Sequence, residues 1–513
     1  MSTRSKPSNG FDFIVVGAGA AGCVIASRLS EDPSTRVLLL EAGSATPLPA
    51  SAIPPLWPTM IGSFADWGDS TTVQSATGSS VRLVRGRGIG GSTATNAMMF
   101  VRGHWASYAD WENVGAKNWG FDDLLPYFKR SETAVGGDPA LRGDSGPMRI
   151  AEMDPPHPVI AAGLDAAVQC VYRRATDISG GLEVGFGKTF LNIAGGKRVS
   201  AADAYLLPAL TRPNLEFVAE ATVHRLRIEN GRCAGVEYST ADGNSISVAS
   251  AGEVVLAAGT IGSAKLLMLS GVGPRAHLGD VGVGVTLDLP GVGANFHDHV
   301  MAPVVYNSSR PMPPSRSAHG EAIGLIQTEY AEHGPDVQLL FIDSTGIGLP
   351  GDDGSVVGYA IAAALMQPFS RGSVRLSAPD AGAPPIIDPN YFGDDRDLRT
   401  MVTALRLARQ IGAAGAYDPW RLAEAAPGPA ADDDQGDEAL RNFAKAACQS
   451  YNHPVGTCAI GDTDMSVVDS ELRVHGITGL RVADGSIMPS IPSANTAATV
   501  YAIAERAAEL IGG

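Results

Sequence analysis

Basic residues are in short supply: 38 Lys and Arg stand against 54 Asp and Glu, giving a formal net charge of -16 at pH 7. A surface of that sign repels phosphate backbones and anionic lipid, and no run of Lys and Arg reverses it, so nucleic acid is not expected as a partner. Cysteine is scarce as well. Cys23, Cys170, Cys233, Cys448 and Cys458 are odd in number, widely spaced and without a CxxC pair, which argues against a disulfide framework or a zinc site and for a reducing compartment. No uninterrupted apolar run approaches the roughly 20 residues of a membrane helix. Residues Met1 to Gly10 are polar, and the apolar stretch after them is broken by three glycines and lacks a cleavage signal. The expectation is a cytoplasmic protein with no membrane segment.

Glycine, by contrast, is abundant at 61 of 513 residues, beside 34 prolines and 44% apolar residues. Such a chain buries a large core and makes many tight turns between strands and helices, with length enough for two or three structural units. Ile14, Val15 and Val16 form a short apolar run suited to a parallel strand buried on both faces, and they lead into Gly17-Ala18-Gly19-Ala20-Ala21-Gly22. Ala21, Ile25 and Leu29 recur at helical spacing, and Arg36 to Leu40 reads as a second strand ending at Glu41. In this βαβ unit Gly17 allows the tight turn, Gly19 admits a pyrophosphate, and Gly22 lets helix and strand pack closely. Glu41, 19 residues beyond Gly22, is placed to accept hydrogen bonds from both ribose hydroxyls of a dinucleotide. That pattern leaves NAD and FAD both open.

Farther on, Glu253 to Ala258 and Leu480 to Ala483 read as strands that join the same sheet, the second ending at Asp484. Val304 to Tyr306, Val337 to Phe341, Tyr359 to Met366 and Ser373 to Leu376 suggest a second, more antiparallel sheet. Leu398, Met401, Val402 and Leu405 give one helical stripe, and Val500, Ile503, Ala504, Ala507 and Ile511 another. The biased tracts Pro311 to Ser317 and Asp432 to Glu438 read as a surface loop or lid and an acidic helix start.

A second glycine-rich loop, Arg85-Gly86-Arg87-Gly88-Ile89-Gly90-Gly91-Ser92-Thr93-Ala94-Thr95-Asn96, has no Walker lysine and is not needed to hold NAD. It resembles the first signature of the glucose-methanol-choline oxidoreductases. Asp110-Trp111, Trp119 and Leu125 to Phe128 follow at that family's spacing, and Gly259 to Gly273 is similar to its second signature apart from Ala264. Leu289 to Asn295, Asp298-His299 and Arg481 to Pro489 are further landmarks, so the resemblance runs from about 10 to 510. It implies an α/β fold with a discontinuous Rossmann-like FAD-binding domain (10–150, 195–300 and 440–513) and an inserted, mainly antiparallel substrate domain (151–194 and 301–439). It implies cofactor contacts from Gly17, Gly19, Ala20, Ala21, Gly22, Glu41 and Ala42. The second loop would add Arg87, Gly90, Gly91, Ser92, Asn96, Ala97 and Met98, and later segments Val223, Ala258, Gly259, Asp484, Gly485, Asn495 and Thr496. Family members that tether FAD use a histidine in the second loop; none stands between Arg85 and Val101, so FAD is expected to bind non-covalently.

Passing hydride from a carbinol carbon to flavin N5 requires a base within reach of the hydroxyl proton, and histidine suits that task near neutral pH. His453, in Asn452-His453-Pro454-Val455-Gly456-Thr457-Cys458, is similar to the family segment that carries the catalytic base. Asn495 stands where the family has a second polar group. Asn takes no proton, so its expected role is to hydrogen-bond the substrate oxygen, beside the N-terminus of the last helix. Asn495 as a helix cap and Asp484 as a turn or cap residue are the plainer readings. His297-Asp298-His299 lacks a third metal ligand nearby and reads as a structural hydrogen-bonding cluster, with no metal expected. The whole then implies an alcohol oxidase or dehydrogenase acting on a small-molecule primary or secondary alcohol, with O2 or another acceptor reoxidising the flavin. Hydroxynitrile cleavage on the same fold, or a non-catalytic flavoprotein, are the alternatives.

Overall fold

A computed structural model describes residues 10–241, 247–345, 357–431 and 437–512. Phe11–Val16 and Val37–Leu40 pair in parallel with the helix Ala20–Leu29 between them, as the apolar runs predict. Leu215–Val218 extends the sheet beyond Val37–Leu40, and Ser247–Leu256 lies against the other side of Phe11–Val16. The last of these is long enough to serve two more partners. Its end pairs in parallel with Leu480–Val482, and its start pairs antiparallel with Arg232–Ser239. Parallel strands of this kind are covered on both faces, and Ile14, Val15, Leu39, Val254 and Val255 are fully buried.

The second sheet has the order Arg421–Ala426, Val300–Ser308, Gly358–Leu365, Val337–Ile342, Gly320–Ile326, Gly185–Lys188, and every pairing is antiparallel. One face is covered by the helices Pro158–Gln169 and Asp395–Gly412, whose Ile160, Leu164, Met401 and Leu405 pack with Val304, Phe341 and Ile361. Three strands carry weak sequence signals. Gly185–Lys188 and Gly320–Ile326 are interrupted by glycines, and Arg421–Ala426 is mostly small or charged.

Two expectations need correction. Ser373–Arg375 joins neither main sheet but forms a hairpin with Ile386–Asp388. It is tied to the loop before His297, with Val374 N–H donating to the Gly293 carbonyl at 2.7 Å and Phe296 bridging Gly372. Gln449–Ser450, in the segment expected to serve the cofactor, pairs instead with Val300–Ser308 and so brings the chain just before His453 onto the second sheet. Residues 432–436 of the acidic tract lie outside the described residues; the helix that follows is Glu438–Ala446. The Pro311 to Ser317 stretch forms no regular element, and its Pro313 carbonyl contacts His157 Nε2 at 3.0 Å.

The last helix, Ala497–Gly512, packs on Ala20–Leu29 and Phe121–Ser131. Its buried Glu505 accepts from Arg28 Nε at 2.9 Å and from Tyr205 at 2.8 Å, which holds the C-terminus against the first βαβ unit. Among the described residues no helix is long and apolar enough to cross a membrane. None of the five cysteines is paired.

Candidate active site

The first turn and the second glycine-rich loop lie face to face. A Cβ on Gly22 would sit 1.7 Å from the Gly17 carbonyl oxygen, and one on Gly91, at φ 50°, would sit 2.7 Å from Gly19 Cα. Only glycine fits at either place. The helix that starts at Ala20 has no side-chain cap from Gly19 and no acidic residue in its first turn, so its first N–H groups and the positive end of its dipole remain available to an anion.

Glu41 turns out to be a staple between these loops. Its Oε2 accepts from Ala18 N–H at 2.8 Å, and its Oε1 accepts from Gly43 and Gly88 at 2.8 and 3.0 Å. A carboxylate has about four acceptor sites. Three are taken by backbone, which leaves one for a further donor. Burial pushes the Glu41 carboxyl up, and the three backbone donors pull against that. Ala42 gives its carbonyl to Arg87 at 3.4 Å, and the Arg87 guanidinium lies over the Trp67 ring.

Ser92 Oγ accepts from Gly86 N–H at 3.1 Å, and Asn96 Oδ1 accepts from Met98 N–H at 3.0 Å. Met98 is fully buried at φ 58°, a left-handed conformation that a bulky side chain adopts only when its surroundings force it. The residue that holds this loop was missed by sequence reasoning. Arg198, buried and brought there from a distant hairpin, donates to the carbonyls of Ser51, Thr93 and Asn96 and to Asn96 Oδ1, at 2.6 to 3.0 Å. Burial draws its pKa down to about 10. No local pattern marks it, because its partners are about a hundred residues away.

Asp484 accepts from Gly259 N–H at 2.9 Å, Ser263 Oγ at 2.6 Å and Ser486 N–H at 2.8 Å. It therefore ties the start of the helix Gly259–Leu269, with Ala258 at its cap, to the Gly485–Ile487 turn. Val223 lies just past Ala221, whose N–H donates to the Glu41 carbonyl at 2.8 Å. Ala97 and Thr496 are partly exposed, beside the second loop and at the start of the last helix.

His453 and Asn495 meet. Asn495 Nδ2 lies 3.3 Å from His453 Nε2 and 3.9 Å from Met99 Sδ, and the Asn495 Oδ1 is buried without a partner. An oxygen left free in this way caps no helix. An amide N–H facing Nε2 makes that nitrogen the lone-pair acceptor, so the ring proton belongs on Nδ1. Nδ1 in turn lies 2.9 Å from His299 Nδ1, the two rings crossing at 87°. His299 then carries its own proton on Nε2, with the Met366 carbonyl in reach but short of full hydrogen-bond geometry. Desolvation pushes His453 down to about 3 and His299 well below the usual imidazole range, His299 also because His453 is beside it. Both rings are neutral at pH 7.

The His-Asp-His stretch supports the site through hydrogen bonds. His297 is used up by the Asn295 carbonyl and Ile491 N–H, at 2.7 and 2.9 Å. Asp298 accepts His453 N–H at 2.7 Å, the Tyr391 hydroxyl at 2.6 Å and the Ser450 hydroxyl, which fixes the backbone that carries the base. No group of three or more metal-binding side chains occurs among the described residues. Asn452, at φ 60°, turns the chain and accepts from Val84 N–H at 2.8 Å, so only Tyr451 of the two residues before His453 faces the site. Cys458 is buried, and burial raises its thiol pKa far above neutrality, so it is no nucleophile.

Residues 11–301 match the N-terminal and residues 368–504 the C-terminal family model of GMC oxidoreductase. Mitochondrial choline dehydrogenase of Homo sapiens is 36% identical over 553 residues, covering 100% of this chain and 91% of that protein. Oxygen-dependent choline dehydrogenase of Rhizobium rhizogenes is 35% identical over 537 residues, covering 98% and 95%. Among solved structures, pyridoxine 4-oxidase from Mesorbium loti aligns with a TM-score of 0.92 at 34% identity over 98% of this chain and 99% of that one. A variant of Aspergillus oryzae formate oxidase aligns with a TM-score of 0.90 at 28% identity over 99% of each.

Proposed function

The chain belongs to the GMC oxidoreductase family, FAD-dependent enzymes that act on CH–OH groups, and from that premise we propose that His453 is the base and Asn495 the oxyanion partner for oxidation of a primary or secondary alcohol. The observation that carries the reading is the 3.3 Å approach of Asn495 Nδ2 to His453 Nε2. Two fixed polar groups converge there, one a lone pair and the other a donor.

The uncapped helix at Ala20, Gly19 and Gly91 would hold the pyrophosphate of FAD, and Glu41 a ribose hydroxyl. With no histidine in the second loop, that binding is non-covalent. When bound, FAD supplies the acceptor for the hydride. The residues do the rest. His453 Nε2 takes the hydroxyl proton, and its Nδ1–H stays on His299, so the ring that becomes cationic keeps its orientation. Asn495 Nδ2 donates to the oxygen as it gains alkoxide character. Gln449–Ser450 pairs with Val300–Ser308 just before His453, which supports a site beside the second sheet. O2 or another acceptor completes the cycle.

Anaerobic mixing of the holoenzyme with a panel of alcohols and a cyanohydrin tests the reading. Alcohols are expected to bleach the flavin band. Cyanide release without bleaching would instead establish a lyase, and no change with either would establish a non-catalytic flavoprotein.

A further inference from the structure

The register of the second sheet sets four residues in one row. Gln449 stands opposite Met301, Met301 opposite Ala364, and Ala364 opposite Gln338. Directly opposed residues point to the same side of a sheet, and Val337 and Leu339 on either side of Gln338 pack beneath the helices, so this row faces the other way. Gln338 is fully buried, and its Oε1 accepts from the Tyr451 hydroxyl at 2.8 Å. The Tyr451 ring lies on His453, with centroids 4.4 Å apart. The hydroxyl of Tyr451 donates to Gln338, so the phenolic proton points to Gln338 and the amide oxygen of Gln338 points back. That leaves Gln338 Nε2 buried with no partner, and Gln449 Nε2 in the same row is likewise unpaired. A buried donor in this state rewards any ligand atom that accepts from it.

The rest of the wall is apolar. Met99, Val305, Ile323, Leu340, Ile342 and Ala362 belong to one cluster, and the only ring in it is Tyr451. Asp298, the carboxylate beside His453, is turned to the backbone side with both oxygens occupied. A quaternary ammonium group is held by several aromatic faces or by a carboxylate. Among the described residues this wall offers one ring, already packed on His453, and no free carboxylate.

We propose that Gln338 determines specificity, and that the substrate is an uncharged alcohol whose apolar body carries a hydrogen-bond acceptor, such as an ether, carbonyl or ring nitrogen, away from the carbinol carbon. The inference rests on the reading of His453 and Asn495 as the groups at the carbinol oxygen. The apolar body then lies along Tyr451 and the aliphatic wall, and the remote acceptor meets Gln338 Nε2. A quaternary ammonium alcohol is a poor fit to the same wall, although choline is what the dehydrogenase relatives are named for.

The test compares 4-methoxybenzyl alcohol, 4-methylbenzyl alcohol, which lacks the ether oxygen, and choline as reductants of the holoenzyme. The methoxy compound is expected to exceed the methyl compound about tenfold in kcat/KM, the worth of one hydrogen bond to an otherwise unpaired donor, and to exceed choline at least about a hundredfold. Gln338→Met, close in shape, should lower the methoxy-to-methyl ratio about tenfold while FAD content holds. Calorimetric binding of 4-methylanisole, which has no carbinol and cannot react, should weaken about tenfold in the same variant. Choline as the best substrate, or a ratio that survives in Gln338→Met, overturns the specificity and leaves alcohol oxidation standing. No bleaching by any alcohol removes the reading of His453 and this inference with it. If Gln338→Met does not fold, the wild-type order of the three alcohols decides alone.

Discussion

His299 and His453 share one hydrogen bond between their Nδ1 atoms at 2.9 Å, a contact made across 154 residues of sequence. It occupies Nδ1 of His453 and leaves Nε2 to act, and the consequences can be measured.

His453→Ala should slow anaerobic flavin reduction by about a hundredfold to ten-thousandfold, the range for loss of a positioned base, while the purified protein stays yellow. Stopped-flow absorbance with a reactive alcohol measures the rate, and the band at zero time reports bound FAD. Reduction at the wild-type rate would remove His453 from the chemistry.

His299→Ala should lower the rate by about tenfold to a hundredfold, as expected when a partner that fixes tautomer and orientation is lost. The distinguishing readout is the pH profile, since a ring free to turn and take up water recovers a pKa nearer that of ordinary histidine. A slower enzyme with an unchanged profile would mean that His299 only packs.

Glu41→Gln keeps the shape but replaces one acceptor oxygen with a donor facing backbone N–H groups. Losing charge-assisted bonds of this kind should cost about 3 kcal/mol, read as a lower urea midpoint. FAD content should fall with it, because both glycine-rich loops depend on the same carboxylate.

Acid should destabilise the protein through His453. Its folded-state pKa is pushed down to about 3 by burial, below the roughly 6.5 of an unfolded chain. Between those values the unfolded chain binds a proton that the folded one does not, so stability falls as pH drops below about 6.5, by about 1.4 kcal/mol per pH unit for one such group. Relative to His453→Gln, the wild type should lose stability with that slope in urea titrations from pH 6 to pH 4. His319 works in the opposite sense. Burial lowers its pKa, but Asp343 at 2.7 Å and the Pro55 carbonyl at 3.0 Å raise it overall, so its contribution is full below about 6.5 and is lost as pH rises through the folded value.

Much of the cofactor side was legible in the residues themselves. Gly17, Gly22 and Gly91 are dictated by local backbone sterics, and Glu41 closes a βαβ unit whose strands and helix follow from short-range apolar periodicity. A turn that only glycine fits is written in the sequence at that turn. The family resemblance added His453 and Asn495 as candidates, 42 residues apart.

What the fold alone decided is who touches whom over long separations. Glu41 spends three acceptors on backbone N–H groups, Arg198 threads a loop about a hundred residues away, His299 occupies Nδ1 of His453, and Gln338 reaches Tyr451 through the register of the second sheet. Such contacts leave no local pattern, because a hydrogen bond is fixed by three-dimensional distance and angle, and those depend on how whole strands and helices pack. For the same reason Ser373–Arg375 reads as a strand from its own residues, yet its partner, Ile386–Asp388, is chosen by the tertiary structure.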